Sequence, residues 1–382
     1  MADVIRPGAT IGILGGGQLG RMMAMAARSL GYRVQALDPD PSCPARFVVD
    51  NCFVAPLDDA EAAADLARGC DVVTIEIEKV GIAAMKEAAK HALVRPDYRA
   101  LEIIQHRARQ KDWLAESGFP VGAYRVVRSA AELERAAREI APQRDVYVKA
   151  AEGGYDGRGQ AVMHSSTDAH KAWLYLGADV CVAEQALEVQ VEISVLAARN
   201  PRGDAAIYPP ALNHHTKRIL DWSVIPAPID SLVSKRAFEI AHEVARKLDI
   251  IGLVCVEMFV TKSGELLVNE LAPRPHNSYH ASERACATSQ FEQVVRAVCD
   301  LPLGSTEVVS PAAIVNLLGD LWLAHPHPRF DAALAVPGVR VHLYEKLVPK
   351  PGRKMGHLSA IASTPQEAVE RVQQAKQILD SE

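Results

Sequence analysis

Short apolar runs alternate with helix-period segments over the first hundred residues. Thr10–Leu14 is an apolar run that turns through GGGQLG. Arg21–Leu30 has helical spacing, and Arg33–Leu37 is a second strand ending at Asp38. Asp59–Arg68 reads as a helix and Asp71–Ile75 as a third strand. This βαβαβ rhythm predicts a parallel, doubly wound sheet. Residues 102–117 read as one helix closed by Gly118. A strand-rich stretch follows, with strands at Val146–Lys149, 161–164, Val180–Glu184 and Val191–Ala197. Lys235–Leu248 is amphipathic, with Phe238, Ala241, Ala245 and Leu248 on one face. Val254–Val260 and Glu265–Leu271 flank the turn Thr261-Lys262-Ser263-Gly264. A hairpin at 340–360 and a terminal helix from about 365 complete the pattern.

The chain has 382 residues, enough for two or three domains. No repeat and no long linker divides it. With 23% charged and 49% hydrophobic residues it is expected to be globular rather than disordered. A formal charge of −5 from 42 basic and 47 acidic residues does not point to nucleic acid or an anionic membrane as partner. No run reaches the roughly 18 apolar residues of a membrane helix, and the N-terminus has no secretory-signal pattern. The seven cysteines lack CxxC spacing and read as reduced thiols, hence a cytoplasmic location.

Two glycine-rich loops carry the first chemistry. Gly15, Gly17 and Gly20 fit GxGxxG after a strand, with Asp38 ending the next strand. Three readings fit this loop: a dinucleotide site, a tight turn without ligand, or a phosphate or polar substrate at the helix end. The second loop, residues 153–160, follows Lys149 and is not a Walker loop. It is either a surface hairpin or a glycine loop giving N–H groups to phosphates, with Lys149 as a point charge.

Glu257 interrupts VCVEMFV and Glu270 sits in the partner run LLVNEL. A turn of even length puts both carboxylates on one face; an odd, bulged turn separates them. Two carboxylates so close repel unless a cation lies between them, and Mg²⁺ suits, with Asn269 as a further oxygen. The competing reading is a solvated face with two unrelated acids.

Taken in order, these features resemble the ATP-grasp superfamily. The segments GGGQLGRM (15–22), TIEIEKV (74–80), GGYDGRGQ (153–160), NELAPRPHNS (269–278), ACATSQFEQ (285–293) and PGRKMGHL (351–358) resemble the N5-carboxyaminoimidazole ribonucleotide synthetase family of purine biosynthesis. That resemblance implies three domains: a Rossmann-like preATP-grasp domain (1–103), an ATP-grasp core (104–305, with a lid subdomain over roughly 120–183) and a small C-terminal β-rich domain (306–382). It implies a homodimer that uses ATP with Mg²⁺ (or Mn²⁺), bicarbonate and 5-aminoimidazole ribonucleotide, passing through carboxyphosphate.

Residue by residue, the resemblance assigns Arg107 and Lys149 to the nucleotide phosphates, covered by Gly154, Tyr155, Asp156, Gly157, Arg158, Gly159 and Gln160. Glu184, Gln185, Ala186 and Leu187 match the segment that reads adenine, Glu192 the ribose acid, and His215 a further nucleotide contact. Glu257 and Glu270 match the metal ligands, with Asn269 beside them on the nucleotide. Tyr155, Asp156, Arg158, Arg274, His276 and Asn277 match the reaction centre. Gln18, Glu76, Lys346 and Arg353 match the ribonucleotide side, the last two as a phosphate clamp. The chain departs from the family's usual residues at Lys79, Ala151-Glu152, Ala211-Leu212, Arg218 and Tyr279, and Lys79 and Tyr279 would reshape the imidazole end of the pocket. Three other functions compete: a different ATP-grasp ligase, an NAD-dependent oxidoreductase, and a non-catalytic nucleotide-binding regulator. The oxidoreductase leaves the carboxylate pair and the second loop unexplained.

Overall fold

The computed structural model describes residues 4–153 and 159–381. The N-terminal sheet is wholly parallel, in the order Asn51–Val54, Arg33–Asp38, Thr10–Leu14, Val72–Ile75, Leu93–Val94. Its central strand Thr10–Leu14 is buried along its whole length, as a strand covered on both faces must be. The first helix spans Gln18–Ser29, starting three residues earlier than expected because Gly17 in extended conformation serves as its N-cap. Asp59 caps the helix Ala60–Arg68 by accepting from the Ala62 N–H.

The single helix expected at 102–117 is two helices, Tyr98–Ile104 and Arg107–Glu116. His106 breaks it: its backbone is extended and its ring caps the second helix at the Arg109 N–H. The N–H of Arg107 is thereby free to bond Ala151 O at 2.8 Å. Gln110 is buried on the second helix and takes the Leu271 N–H at 3.1 Å, locking the helix to the carboxylate hairpin.

A four-stranded sheet follows, ordered Tyr124–Val127, Cys181–Gln185, Val146–Ala150, Gln160–Met163. Helices Ala130–Ile140 and Ala169–Leu176 back it through Leu133, Ala137, Ala169 and Ala172. The largest sheet runs Leu266–Ala272, Gly252–Thr261, Val189–Arg199, Ala211–Thr216, Ile219–Ile225, Ala312–Leu318, Lys354–Ile361, Val339–Leu343. The C-terminal strands therefore extend the sheet of the middle segment, and helix Pro365–Asp380 covers them with Ala368, Val372, Ala375 and Leu379.

Helix Ser231–Lys247 buries Ala237, Ile240, Ala241, Val244 and Ala245 against the large sheet. Phe238, expected on that face, is 43% exposed, because the buried stripe runs one position earlier at i, i+3, i+4, i+7 and i+8.

Gly20 tests how tightly the first turn is packed. Helix propensity alone makes Gly20→Ala stabilising by about 1 kcal/mol. A Cβ there, however, would lie 2.5 Å from the carbonyl oxygen of Gly15, which is backbone and cannot swing away. The net effect should be a loss of about 1–3 kcal/mol, the usual cost of overpacking. Urea unfolding of the two proteins measures it, and a more stable variant would show that the turn is loose.

Candidate active site

The first glycine loop is filled by the protein's own acids. Glu76, buried at the end of Val72–Ile75, accepts from Gly17 N–H at 2.8 Å and Gly20 N–H at 2.7 Å. A carboxylate thus occupies the helix N-terminus, where a dinucleotide would place its pyrophosphate. Asp38 accepts from Gly16 N–H at 2.7 Å and Asp40 N–H at 2.8 Å, so it shapes the loop rather than waiting for a ribose. Gly15 has φ of +104°, and an added Cβ would lie 2.4 Å from the Glu76 side chain. The oxidoreductase reading fails on this packing. Burial pushes the Glu76 pKa up, although the two N–H donors oppose the shift.

Beside this loop Lys346 Nζ donates to Gln18 Oε1 at 2.6 Å and to Lys354 O at 2.7 Å. Residues 328 positions apart thereby meet. Arg353, partly exposed, donates to Val348 O at 2.8 Å and acts electrostatically on Asp40, whose pKa is lowered mainly by Ser42.

The carboxylate hairpin has an unexpected construction. Thr261 N–H bonds Glu265 O at 2.9 Å, and Val260 pairs with Leu266. The turn is therefore odd, with Lys262, Ser263 and Gly264 at its tip, which by itself would separate the acids. One irregularity restores the parity: Met258 pairs with Val268 but Glu257 pairs with Glu270, so Asn269 is an extra residue. Glu257 and Glu270 end up directly opposed. Register carries the same face across the sheet, since Ser194 pairs with Glu257 and Glu192 with Asn213. Glu192, Ser194, Asn213, His215, Glu257 and Glu270 share that face.

Charge is distributed unevenly over the pair. His276 Nε2 lies 3.0 Å from Glu257 Oε1. Burial would raise the Glu257 pKa, but His276 outweighs it and holds the carboxyl at about 2. Glu270 has its pKa raised, by burial and then by Glu257, with Arg107 and Lys149 opposing. Burial disfavours a charged His276, yet Cys255 and Glu257 raise its pKa to about 10. Its Nδ1 contacts Ser278 Oγ at 2.7 Å, which meets Ser194 Oγ at 2.7 Å, which accepts from Asn213 Nδ2 at 3.1 Å. Glu192 meets His215 Nδ1 at 2.7 Å; burial lowers that ring's pKa, but Glu192 turns the net shift upward.

Facing this sheet are Lys149 and Glu184. Lys149 Nζ is 2.5 Å from Glu184 Oε2 and 3.5 Å from Asn269 Oδ1, so it bridges the two sheets. Gln185 N–H bonds Ala123 O and Ala186 N–H bonds Asp145 O, which fixes the course of the chain into Leu187, a residue lying over Gly122. Arg107 Nη1 donates to Ala150 O at 3.3 Å. Gly159 and Gln160 open the strand after the second loop, Gly159 O accepting from Ala150 N–H at 2.9 Å. Gly154, Tyr155, Asp156, Gly157 and Arg158 lie outside the described residues.

Arg274 Nε pairs with Glu78 Oε1 at 2.8 Å. Asn277 is buried, and both polar atoms of its amide lack a hydrogen-bond partner among the described residues. Such an amide is costly unless a ligand uses it. Tyr279 is fully buried in the core: its hydroxyl reaches Ser194 O and Pro209 O, both at 2.8 Å, and its ring packs edge-on to Tyr208. Its expected influence on the pocket is thus corrected. Glu152 has Arg109 at 3.7 Å and His106 at 3.9 Å, which offset its charge. Arg218 and Lys79 are exposed. Sequence reasoning missed Glu78, Ser194, Ser278 and Lys111. Glu78 and Ser278 lie inside the quoted segments 74–80 and 269–278, and Lys111 lies four residues beyond Arg107 on one helix face.

Comparison with known proteins matches three family models along the chain. They are the ribonucleotide synthetase preATP-grasp domain (residues 8–105), the ATP-grasp domain (112–291) and the phosphoribosylaminoimidazole carboxylase C-terminal domain (312–371). The N5-carboxyaminoimidazole ribonucleotide synthase of Bacillus subtilis is 38% identical over 97% of this chain and 96% of its own length. That of Brucella melitensis is 41% identical over 94% of this chain and 97% of its own. The chain belongs to the N5-carboxyaminoimidazole ribonucleotide synthase family. The ADP complex of one such synthetase superposes with a TM-score of 0.93 at 39% identity, covering 100% of this chain and 99% of that one. The Aspergillus clavatus synthase bound to ADP and 5-aminoimidazole ribonucleotide gives 0.89 at 31% identity, covering 98% and 99%. As a synthase of this family the chain is an ATP-dependent ligase with preATP-grasp, ATP-grasp and C-terminal domains.

In this synthase Tyr279 is a test of core against pocket. Tyr279→Phe strands two carbonyl acceptors and should cost about 1–3 kcal/mol in stability. The KM for either nucleotide substrate should stay within about twofold. Thermal unfolding and initial rates check both, and a tenfold KM change with unchanged stability would put the ring in the pocket.

Proposed function

We infer that the chain catalyses ATP- and bicarbonate-dependent carboxylation of 5-aminoimidazole ribonucleotide to N5-carboxyaminoimidazole ribonucleotide, releasing ADP and phosphate. The observation that carries this reading is the opposition of Glu257 and Glu270, with Lys149 bridging from the other sheet to Asn269. Family membership supports the substrates and a homodimer, and together with the seven free cysteines it supports a cytoplasmic location.

ATP lies between the two sheets. Arg107 and Lys149 neutralise its phosphates, Glu184 to Leu187 flank the base, and Glu192 takes the ribose hydroxyls with His215 holding its carboxylate. The donor set of Glu257, Glu270 and the Asn269 oxygen fits a hard divalent cation such as Mg²⁺: two directly opposed carboxylates with an amide oxygen beside them are oxygen donors of the kind such an ion takes. When bound there, the ion supplies charge neutralisation for phosphoryl transfer. His276 fixes Glu257 from 3.0 Å. Bicarbonate oxygen attacks the γ-phosphorus and ADP leaves. The ribonucleotide's amino nitrogen then takes the carboxyl group of carboxyphosphate: the N–C bond forms, the bond from the carboxyl carbon to the phosphate oxygen breaks, and the departing phosphate takes the amine proton. Arg274, oriented by Glu78, stabilises the charge that develops, and the Asn277 amide offers a donor and an acceptor to the reacting groups. Tyr155, Asp156 and Arg158 share this centre in the reading. Lys346 and Arg353 hold the ribonucleotide phosphate, and Gln18 holds Lys346 in place.

Two experiments test this. Purified protein with ATP and Mg²⁺ should release ADP only when both 5-aminoimidazole ribonucleotide and bicarbonate are present. Release with glycinamide ribonucleotide and formate instead would move the chain to another ligase. The clamp is remote from the bond being made, so Arg353→Ala should weaken ground and transition states alike. Loss of a charge-assisted contact should raise the ribonucleotide KM roughly 10- to 150-fold and leave the ATP KM nearly unchanged. The opposite pattern in a two-substrate rate study would place Arg353 with the nucleotide.

A further inference from the structure

Glu184 carries two lysines, and only one of them has a role so far. Lys111 Nζ lies 3.2 Å from Glu184 Oε1, while Lys149 Nζ lies 2.5 Å from Glu184 Oε2. Lys111 is 7% exposed and sits on helix Arg107–Glu116, one turn beyond Arg107. That helix is anchored at both ends of the site, by Arg107 N–H to Ala151 O and by Gln110 to Leu271. Lys149, by contrast, stands on a strand directly before the second glycine loop and reaches across to Asn269.

The arrangement poses a charge problem. Lys149 is paired with Glu184. To neutralise a nucleotide phosphate it must give up that carboxylate, wholly or in part. A buried carboxylate stripped of its only partner is strongly unfavourable. Without a second cation, Glu184 would keep Lys149 and compete with the phosphates for it.

We propose that Lys111 is a positioning residue: a fixed counter-ion that keeps Glu184 paired when Lys149 turns to the nucleotide. The proposal rests on the reading of Lys149 as a phosphate ligand. Lys111 touches no substrate; it acts through Glu184 on the freedom of Lys149. Burial, with Lys149 beside it, lowers the Lys111 pKa and Glu184 opposes that shift, while Lys149 and Lys111 together hold the Glu184 carboxyl at about 2. A buried lysine that merely completed the core would matter equally whatever stood at position 184. A counter-ion matters only while the carboxylate carries its charge.

The test is a double-mutant cycle read by calorimetric titration with MgADP, which needs no turnover. Lys111→Met should weaken MgADP binding at least about tenfold in the protein with Glu184 intact. In the Glu184→Gln background the same change should cost less than about threefold, because no carboxylate is stranded. Lys111→Arg, which keeps the charge, should stay within about threefold of the parent. Equal effects of Lys111→Met in both backgrounds, or less than twofold with Glu184 intact, overturn the proposal. Lys111→Gln carries the same cycle if the Met variant does not fold. Lys149→Met is run in parallel. If it binds MgADP like the parent, the nucleotide reading fails and takes this inference with it. If it binds weakly while Lys111→Met binds normally, this inference alone fails.

Discussion

Two carboxylates on neighbouring strands, Glu257 against Glu270, set the electrostatic problem that the surrounding residues solve. Like charges at that separation cannot both stay ionised without positive charge beside them. His276 takes Glu257, while Lys149 and Arg107 lie toward Glu270. Each cation comes from a different part of the chain: a loop after the hairpin, a strand of the facing sheet, a helix start. Those parts converge on one pair of acids.

That pair depends on a single extra residue. The tip at Lys262, Ser263 and Gly264 is odd, and an odd hairpin would send one acid to the far face. Asn269 bulges and returns Glu270 to the side of Glu257, and it also places an amide oxygen 3.5 Å from Lys149. The same segment continues into Arg274, His276 and Asn277, so the bulge helps to set the course of those residues as well as of the acids.

Much of this was legible beforehand, because it is written in local periodicity. The parallel N-terminal sheet, the strand pairs and the terminal helix follow from runs of apolar residues and their turns. The break at His106 was not legible, since a histidine inside a helical pattern gives no sign that its ring will cap the next helix. The Asn269 bulge was equally hidden: register is set by pairing across the sheet, which a strand's own pattern does not contain. GxGxxG left three readings open. Its glycines are required by Glu76, an acid 56 to 59 positions away from the N–H groups it receives, and not by a dinucleotide. Glu257 and Glu270 read as a pair in the sequence and stand opposed in the fold, while Lys111, Glu78 and the Ser194–Ser278 link matter through contacts that only the fold supplies.

The central claim is that Glu257 and Glu270 together form the cation site. Mn²⁺, a hard, oxygen-seeking and paramagnetic ion, reports on it directly. Electron paramagnetic resonance titration of Mn²⁺ in the presence of ADP should show a bound ion in the parent protein. Glu257→Gln with Glu270→Gln should weaken that binding by at least about a hundredfold while the fold is kept. Unchanged Mn²⁺ affinity in the double variant would contradict the account, because the cation would then be held by nucleotide or by other residues, and the opposed acids would have no ion to hold.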